Sequence, residues 1–362
     1  MDFAGLVGNF KKNRHLTEQE KSHRLHQSKK IDIEPHYQMS VIELNSTYFE
    51  SVDKWYETKG TITAVSLTII AMFTAAFAGL LHVALTRENS SGISSKDSGI
   101  LIFAAIIFLP ILASATWLFF KDSFSFTHYP LRFDRKNRMV YVFRKDGSAL
   151  SIPWVKVIFT LSQVDQGYKF FNILGHAMAD DGVTIKESFS LSVSSTGDTD
   201  GLAVLISHWE FVRRYMEDGP DAVIGQVKFC LPIKMQRESA WFGAQRLMIS
   251  TAGAPVMFPV LVFNLAFNAL IIPFRWIAMR TSKVPHWPAE IEATSMIADG
   301  DPYAITGAGN GDRISLFPAA ADAVGVRFTG PPGNPLTPGA FPSSAVSPQR
   351  QNAPSARPTL EE

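Results

Sequence analysis

The chain has 362 residues, 46% of them hydrophobic, with 34 basic against 33 acidic side chains and a single cysteine, Cys230. A net charge of +1 argues against nucleic acid as the main partner, because polyanion binding needs clustered, uncompensated Lys and Arg. One cysteine excludes intrachain disulfides, thiolate metal sites and CxxC redox chemistry together.

Residues 1–60 read as a cytosolic N-terminal segment. The first 25 residues hold five Lys or Arg and no apolar core of signal-peptide length, so cleavage and secretion are not expected. Thr17 and Glu20 have capping-box spacing and predict a short amphipathic helix over Thr17–Lys30. His23 and His26 share one face of it at i, i+3. A metal needs three or four ligands and nothing nearby supplies the rest, so a solvated helix face is the plainer reading.

Membrane segments come next. Thr61–Leu85 is uncharged over twenty-five residues, roughly 37 Å as a helix, enough to cross a hydrocarbon core of roughly 30 Å with some tilt. Ile100–Phe120 is again uncharged and ends in aromatics and Lys121, as an interfacial helix end does. Pro110 inside it predicts a kink. Residues 61–120 are therefore a transmembrane helical hairpin. Arg87 and Lys96 are the basic residues of its loop, against Lys121, Arg132, Arg135, Lys136 and Arg138 just after it. The positive-inside rule puts the flanks in the cytosol.

A third apolar stretch, Leu247–Phe274 within a membrane-associated segment 236–284, is bounded by Arg246 and Arg275. It contains Pro255, Pro259 and Pro273. Asn264 and Asn268, at i, i+4, predict a face that packs on the first hairpin through interhelical hydrogen bonds. Basic residues flank it on both sides, so the charge rule does not choose. A single crossing, a re-entrant segment and a buried soluble segment all fit, and the crossing is the working expectation.

Residues 121–235 change to strand period. Val183, Ile185, Phe189, Leu191 and Val193 alternate with polar residues, Glu187 being the exception, as a half-buried strand requires. Asp146-Gly147 and Asp181-Gly182 have hairpin-turn chemistry, and a turn at Asp134–Arg138 links Phe126–Phe133 with Met139–Phe143. The runs 149–160, 168–178 and 183–193 complete an antiparallel β meander of about five strands. Leu202, Leu205, Trp209, Val212 and Met216 recur at helical spacing after Asp198 and Asp200, and Gly219-Pro220 stop that helix. Meander then closing helix is the order of a pleckstrin-homology (PH)-like domain. From Pro285 onward, and most clearly from Gly330, the Pro/Gly/Ala/Ser-rich tail is expected to be disordered. The fold class is an α+β membrane protein.

Catalytic and cofactor chemistry is largely absent from the sequence. Asp180 and Asp181 could share acid and base roles, but a hairpin turn explains them. His82 and His128 sit near ends of the apolar segments, where interface placement needs no function. Gly307-Ala-Gly309-Asn-Gly311 lacks the Lys-Ser/Thr of a phosphate loop, follows no predicted strand and opens no helix. No catalytic residue, metal or cofactor is assigned. One constellation remains as a lipid- or partner-binding candidate: Arg132, Arg135, Lys136, Arg138, Arg144 and Lys145, close behind the hairpin, where each basic residue near anionic headgroups gains about 1 kcal/mol.

The two-helix hairpin followed by "HYPLRFDRKNRMVYVFR" (128–144), "IPW" (152–154) and "HWEFVRRYMEDGP" (208–220) resembles an uncharacterised family of proteobacterial membrane proteins encoded beside type VI secretion genes, often near lipase-like effectors. The resemblance covers about residues 30 to 285. It implies a non-enzymatic inner-membrane interaction protein that binds a secretion effector or component through residues 121–235, as effector adaptor or immunity protein. A membrane-anchored PH-like module binding anionic phospholipid is the alternative.

Overall fold

Turn chemistry sets most of the strand boundaries. The computed structural model describes residues 10–86, 95–166, 168–249 and 258–310. The chain begins with β1 (Arg14–His15), α1 (Glu18–Ser22), β2 (Arg24–Leu25), β3 (Val41–Leu44) and β4 (Tyr48–Ser51). The long helices α2 (Thr61–Thr86) and α3 (Ser95–Ser123) follow. Then come β5 (Leu131–Asp134), β6 (Met139–Phe143), β7 (Ala149–Pro153), β8 (Val157–Gln166), β9 (Tyr168–Met178), β10 (Thr184–Thr196) and α4 (Thr199–Glu217). Last are α5 (Ala240–Ile249), α6 (Phe258–Thr281), α7 (Ala289–Thr294) and β11 (Ile305–Thr306).

The strands form two antiparallel sheets, one ordered β1-β10-β9-β8-β2 and one β11-β3-β4-β5-β6-β7. They meet at a corner. The predicted run 149–160 breaks at the 3-10 turn Trp154–Lys156, which carries the chain from β7 in one sheet to β8 in the other. Proline at 153 cannot donate to a continuing ladder, and Trp154 swings fully into the core against Trp209 and Phe159. α4 packs into the bend, capped by the Asp198 carboxylate on Gly201 N–H. Its predicted apolar positions are all buried. Stacked and edge-on rings among Phe49, Phe133, Phe211 and Tyr215 tie it to the other sheet, each such pair adding about 0.5–1.5 kcal/mol beyond area burial.

Four sequence expectations change. The capping box forms, with Glu20 N–H donating to Thr17 Oγ1, but the helix stops at Ser22 rather than running to Lys30. Leu25 is drawn into the core, and β2 pairs with β8 instead. Residues 1–60 are also not set apart from the domain, since β3 and β4 extend its sheet and β4 pairs with β5 across the whole helical hairpin. Third, residues 285–310 are folded: this stretch crosses the outer face of the sheet as a strap, placing α7 over β5 and pairing β11 with β3. The remainder of the expected tail, 311–362, lies outside the described residues.

The fourth change concerns Leu247–Phe274. Three helices, Thr61–Thr86, Ser95–Ser123 and Val262–Thr281, are long and apolar enough to cross a membrane. Yet the third segment starts and finishes on the domain side. Glu238, just before α5, accepts two hydrogen bonds from Arg275 in the last turns of α6, at 2.7 and 2.9 Å. Asn268 Nδ2 donates to the Leu247 carbonyl at 3.0 Å, a bond to α5, while α6 also packs against α2 and α3 of the first hairpin. The chain therefore enters and leaves this segment at the same end, which a single net crossing would not do, and basic residues stand on both of its flanks.

A buried polar collar joins the helix ends to the domain. Asp122 Oδ2, at the end of α3, accepts from Gly60 N–H (3.1 Å), Thr63 N–H (2.9 Å) and Thr63 Oγ1 (2.8 Å) at the start of α2. The Lys59 ammonium lies 3.7 Å from Asp122 and donates to the Phe126 carbonyl. Arg275 also donates to the Tyr56 and Glu57 carbonyls. Gly60 has φ +94° and touches the Arg275 backbone, so no side chain fits there.

Candidate functional site

The six predicted basic residues do not form one patch. β5 and β6 separate them into two groups about 13 Å apart, the length of a four-residue strand. Arg135, Lys136 and Arg138 occupy the β5–β6 turn at the end of the sheet remote from the helices. Arg138 donates to the Met216 carbonyl and pairs with Glu217 at 2.7 Å, and Arg135 lies beside Gly219. Lys136 is exposed.

Arg132 sits between the groups and is only 2% exposed, so it cannot reach a headgroup. It pairs with Glu50 (3.0 Å) and with Glu292 of α7 (2.9 Å), and its guanidinium lies over the rings of Tyr48 and Trp287. Trp287 Nε1 donates to Glu50 at 2.8 Å. The outward-facing side of β3–β4–β5 is therefore charged, and the strap covers it.

Arg144 and Lys145 remain at the helix-proximal end, where they line a cleft of about 530 Å³. One wall is Glu187–Ser190 of β10, and the other is formed by Leu131, Val142 and Phe143. Lys12 and Lys54 add two further cations, and Phe10, Trp55 and Tyr129 supply rings. The carboxylates here are engaged. Glu187 accepts from Arg144 at 2.7 and 3.1 Å, Asp53 accepts the Tyr129 and Trp55 N–H groups at 2.8 and 3.0 Å, and Asp146 accepts from Ser148. Lys54 is buried at 8% exposure, its ammonium 4.8 Å from the Trp55 ring centre and 5.7 Å from that of Phe10. Burial, then the nearby charge of Lys121 at the end of α3, lowers the Lys145 amine.

Behind the cleft wall lies a serine–histidine contact. His176 is fully buried, with Nδ1 2.8 Å from Ser188 Oγ and Nε2 3.0 Å from Thr160 Oγ1. Burial pushes it down to about 4. The nearest carboxylate, Glu20, is 3.7 Å away, too far for a hydrogen bond, and both its oxygens bind Arg14 at 2.6 Å. Burial raises Glu20, but the Arg14 and Thr17 hydrogen bonds outweigh it and hold the group at about 2. A base this weak, beside an acid already spent on Arg14, has the character of a satisfied core histidine.

The other sequence candidates are structural as well. Asp181 accepts from the Thr184 hydroxyl and from the Thr184 and Val183 N–H groups, which hold it at about 2 in an exposed turn. His23 is buried while His26 points out, and no group of three or more His, Cys, Asp and Glu suited to a metal occurs among the described residues. His128 is buried against Thr127, and burial, then the Lys59 charge, lowers it to about 3. Gly307 does follow a strand, β11, and the 3-10 turn Gly307–Asn310 docks on Pro232 and on the Cys230 backbone.

Lys12, Lys54 and Trp55 escaped the sequence reading because the N-terminal segment was set apart from the domain. A signal was present: Asn45-Ser46-Thr47 between two apolar runs is a hairpin, with Asn45 Oδ1 accepting the Thr47 and Tyr48 N–H groups.

Fold and site together define an α+β protein in which helices long and apolar enough to cross a membrane are tied to a two-sheet domain that carries a mixed-charge cleft near the helix ends. Residues 104–299 match the family of unknown function DUF6708, and the chain belongs to that family. The matched region runs from within α3 to just past α7 and leaves out β3 and β4. It brings no activity or partner with it. No curated protein and no solved structure matches the chain.

Proposed function

We propose that this chain is a non-enzymatic, multi-pass protein of the bacterial inner membrane whose folded domain stands on the cytosolic side as a binding platform for a protein partner. The collar carries this reading. Lys59, Asp122, Arg275 and Glu238 fix three helix ends to the sheets, so the domain is held at the membrane surface rather than tethered by a linker. Lys121, Arg246, Arg280 and Lys283 cluster on the domain side, which supports a cytosolic placement by the positive-inside rule. The bent pair of sheets closed by α4 supports a PH-like description.

The far turn Arg135–Arg138 lies at the sheet end away from α2 and α3 and carries the exposed Lys136, which makes it the natural docking point for a macromolecule. The resemblance of the chain to proteins encoded beside type VI secretion genes supports an accessory role there. A cytosolic domain fits an effector adaptor better than immunity against a periplasmic toxin.

The test is affinity purification of the tagged full-length chain from native cells in mild detergent, with mass spectrometry of what co-elutes. Excising 121–235 would strand β3 and β4 without their sheet, so Arg135→Glu with Lys136→Glu is the cleaner comparison. One near-stoichiometric protein that is lost in the variant supports the platform. If nothing co-elutes, or capture is unchanged, the reading is wrong.

A further inference from the structure

The cleft beside the helix ends has features that a protein-binding turn does not need. It lies between the open side of β10 and the helix-proximal ends of β5 and β6, and its volume of about 530 Å³ is in the range of small-ligand sites. Its basic side chains come from three separate stretches: Lys12 before β1, Lys54 after β4, and Arg144 with Lys145 after β6. The fold has thus brought together four cations that are far apart along the chain, apart from the adjacent Arg144 and Lys145.

Placement supplies the rest. Trp55 precedes α2 by a few residues and Tyr129 follows α3 closely, so the cleft is bracketed by the chain entering and leaving the first hairpin. Lys121 lies over the Trp117 ring at 5.5 Å, marking the interfacial end of α3. Burial lowers the Lys145 amine, and the nearby charge of Lys121 lowers it further. An anion beside Lys145 in the cleft would relieve both effects.

We propose that this cleft binds the phosphate of an anionic phospholipid headgroup, with Lys54 and Lys145 as its principal cations and the rings of Trp55 and Tyr129 against the glycerol. The inference rests on the reading of the domain as held against the membrane. Phosphate chemistry is common to lipids and soluble anions, and proximity to the α2 and α3 ends favours the lipid. Of the cleft's carboxylates, Glu187 is matched by the Arg144 charge, and the hydrogen bonds that Asp53 and Asp146 accept from backbone N–H groups and serine fix their oxygens on those donors.

The experiment is native mass spectrometry of the full-length protein in detergent, titrated with short-chain phosphatidylglycerol, with phosphatidylcholine and inorganic phosphate as separate arms. One phosphatidylglycerol should be retained per chain, phosphatidylcholine should not, and inorganic phosphate should not displace it. Lys54→Gln with Lys145→Gln should lower retention tenfold or more, whereas the exposed pair Lys29→Gln with Lys30→Gln should leave it unchanged. Lys145→Glu alone, in the turn after β6, repeats the test if the double variant fails to fold. Equal retention by the variants, equal retention of phosphatidylcholine, or displacement by inorganic phosphate overturns the proposal. A chain that does not fractionate with membranes refutes the platform reading itself, which separates the two failures.

Discussion

Replacing Asn310 with alanine should open the strap and expose the chain's sole cysteine. Asn310 Oδ1 accepts the Cys230 N–H at 3.0 Å, and its Nδ2 donates to the Cys230 carbonyl at 2.6 Å. Each hydrogen bond contributes about 1 kcal/mol net, so losing both lowers the local opening free energy by about 2 kcal/mol. At about 1.4 kcal/mol per decade, that is roughly a thirtyfold larger open population. The thiol is 2% exposed, and burial followed by the Glu43 charge pushes it up to about 12, so the closed state is unreactive. Maleimide labelling of full-length protein, read by mass shift over time, follows the opening without an engineered probe. Gly307→Ala should act in the same direction, since a Cβ there would meet the Pro232 Cα at 2.6 Å. If the Asn310→Ala labelling rate stays at the wild-type value, Cys230 is shielded by the core and the strap does not govern its exposure. A rise that tracks a fall in overall melting temperature would equally sink the local account.

Three further outcomes follow from packing and charge. Asp122→Ala leaves the Gly60 and Thr63 donors unsatisfied and the buried Lys59 without its carboxylate, at a cost of about 3–5 kcal/mol; thermal unfolding in detergent should shift down sharply, and an unchanged midpoint would mean water already fills the collar. Gly175→Ala drives a Cβ into the Phe189 ring across the β9–β10 ladder, and overpacking of this kind costs about 1–3 kcal/mol; a fully stable variant would show that the ring can move aside. Acid should weaken the domain early. His128 and His208, lowered to about 3, and His176, lowered to about 4, are buried neutral, each with desolvation as the main cause. The unfolded chain binds their protons near the ordinary histidine value of about 6.5. Their stabilising contribution is thus complete above that value and declines as pH falls toward the folded values. Denaturant midpoints that stay flat between about pH 7 and pH 5 would contradict the assignment.

The hairpin turns, the first two long apolar helices and the closing helix were legible because each rests on local chemistry: Asp-Gly pairs, uncharged length, an aspartate cap. What escaped were pairings over long sequence separation. The pattern of residues 41–51 is that of two short strands around an Asx turn, but nothing local indicates that they join a sheet whose next strand begins at Leu131. For the third apolar segment, the pairing of Glu238 with Arg275 that brings its two flanks together joins residues far apart in sequence, and basic residues on both flanks gave no choice by themselves. In the basic cluster, sequence proximity concealed opposite strand ends. Arg132 and Arg144 also carried no sign of their carboxylates, because Glu50, Glu187 and Glu292 lie far away along the chain.

Interrupting a sheet between adjacent strands with roughly eighty residues looks costly, since a flexible loop of that length closes with about 3 kcal/mol more entropy loss than a four-residue turn. Here the cost is small because the insertion is not flexible. α2 and α3 run antiparallel and bring their own ends together, and Asp122 ties the last turn of α3 to Gly60 and Thr63 at the first turn of α2. β4 and β5 therefore meet as if joined by a short connection. The same geometry gives the collar a second role: any movement that spreads the helix ends must either break the buried Lys59–Asp122 and Arg275–Glu238 pairs or pull on the β4–β5 ladder. The cleft is lined from both sides of this junction, by Lys54 and Trp55 before α2 and by Tyr129 after α3. Its width is thus coupled to helix spacing through a few residues of chain, which places the candidate site where the long apolar helices and the domain are joined.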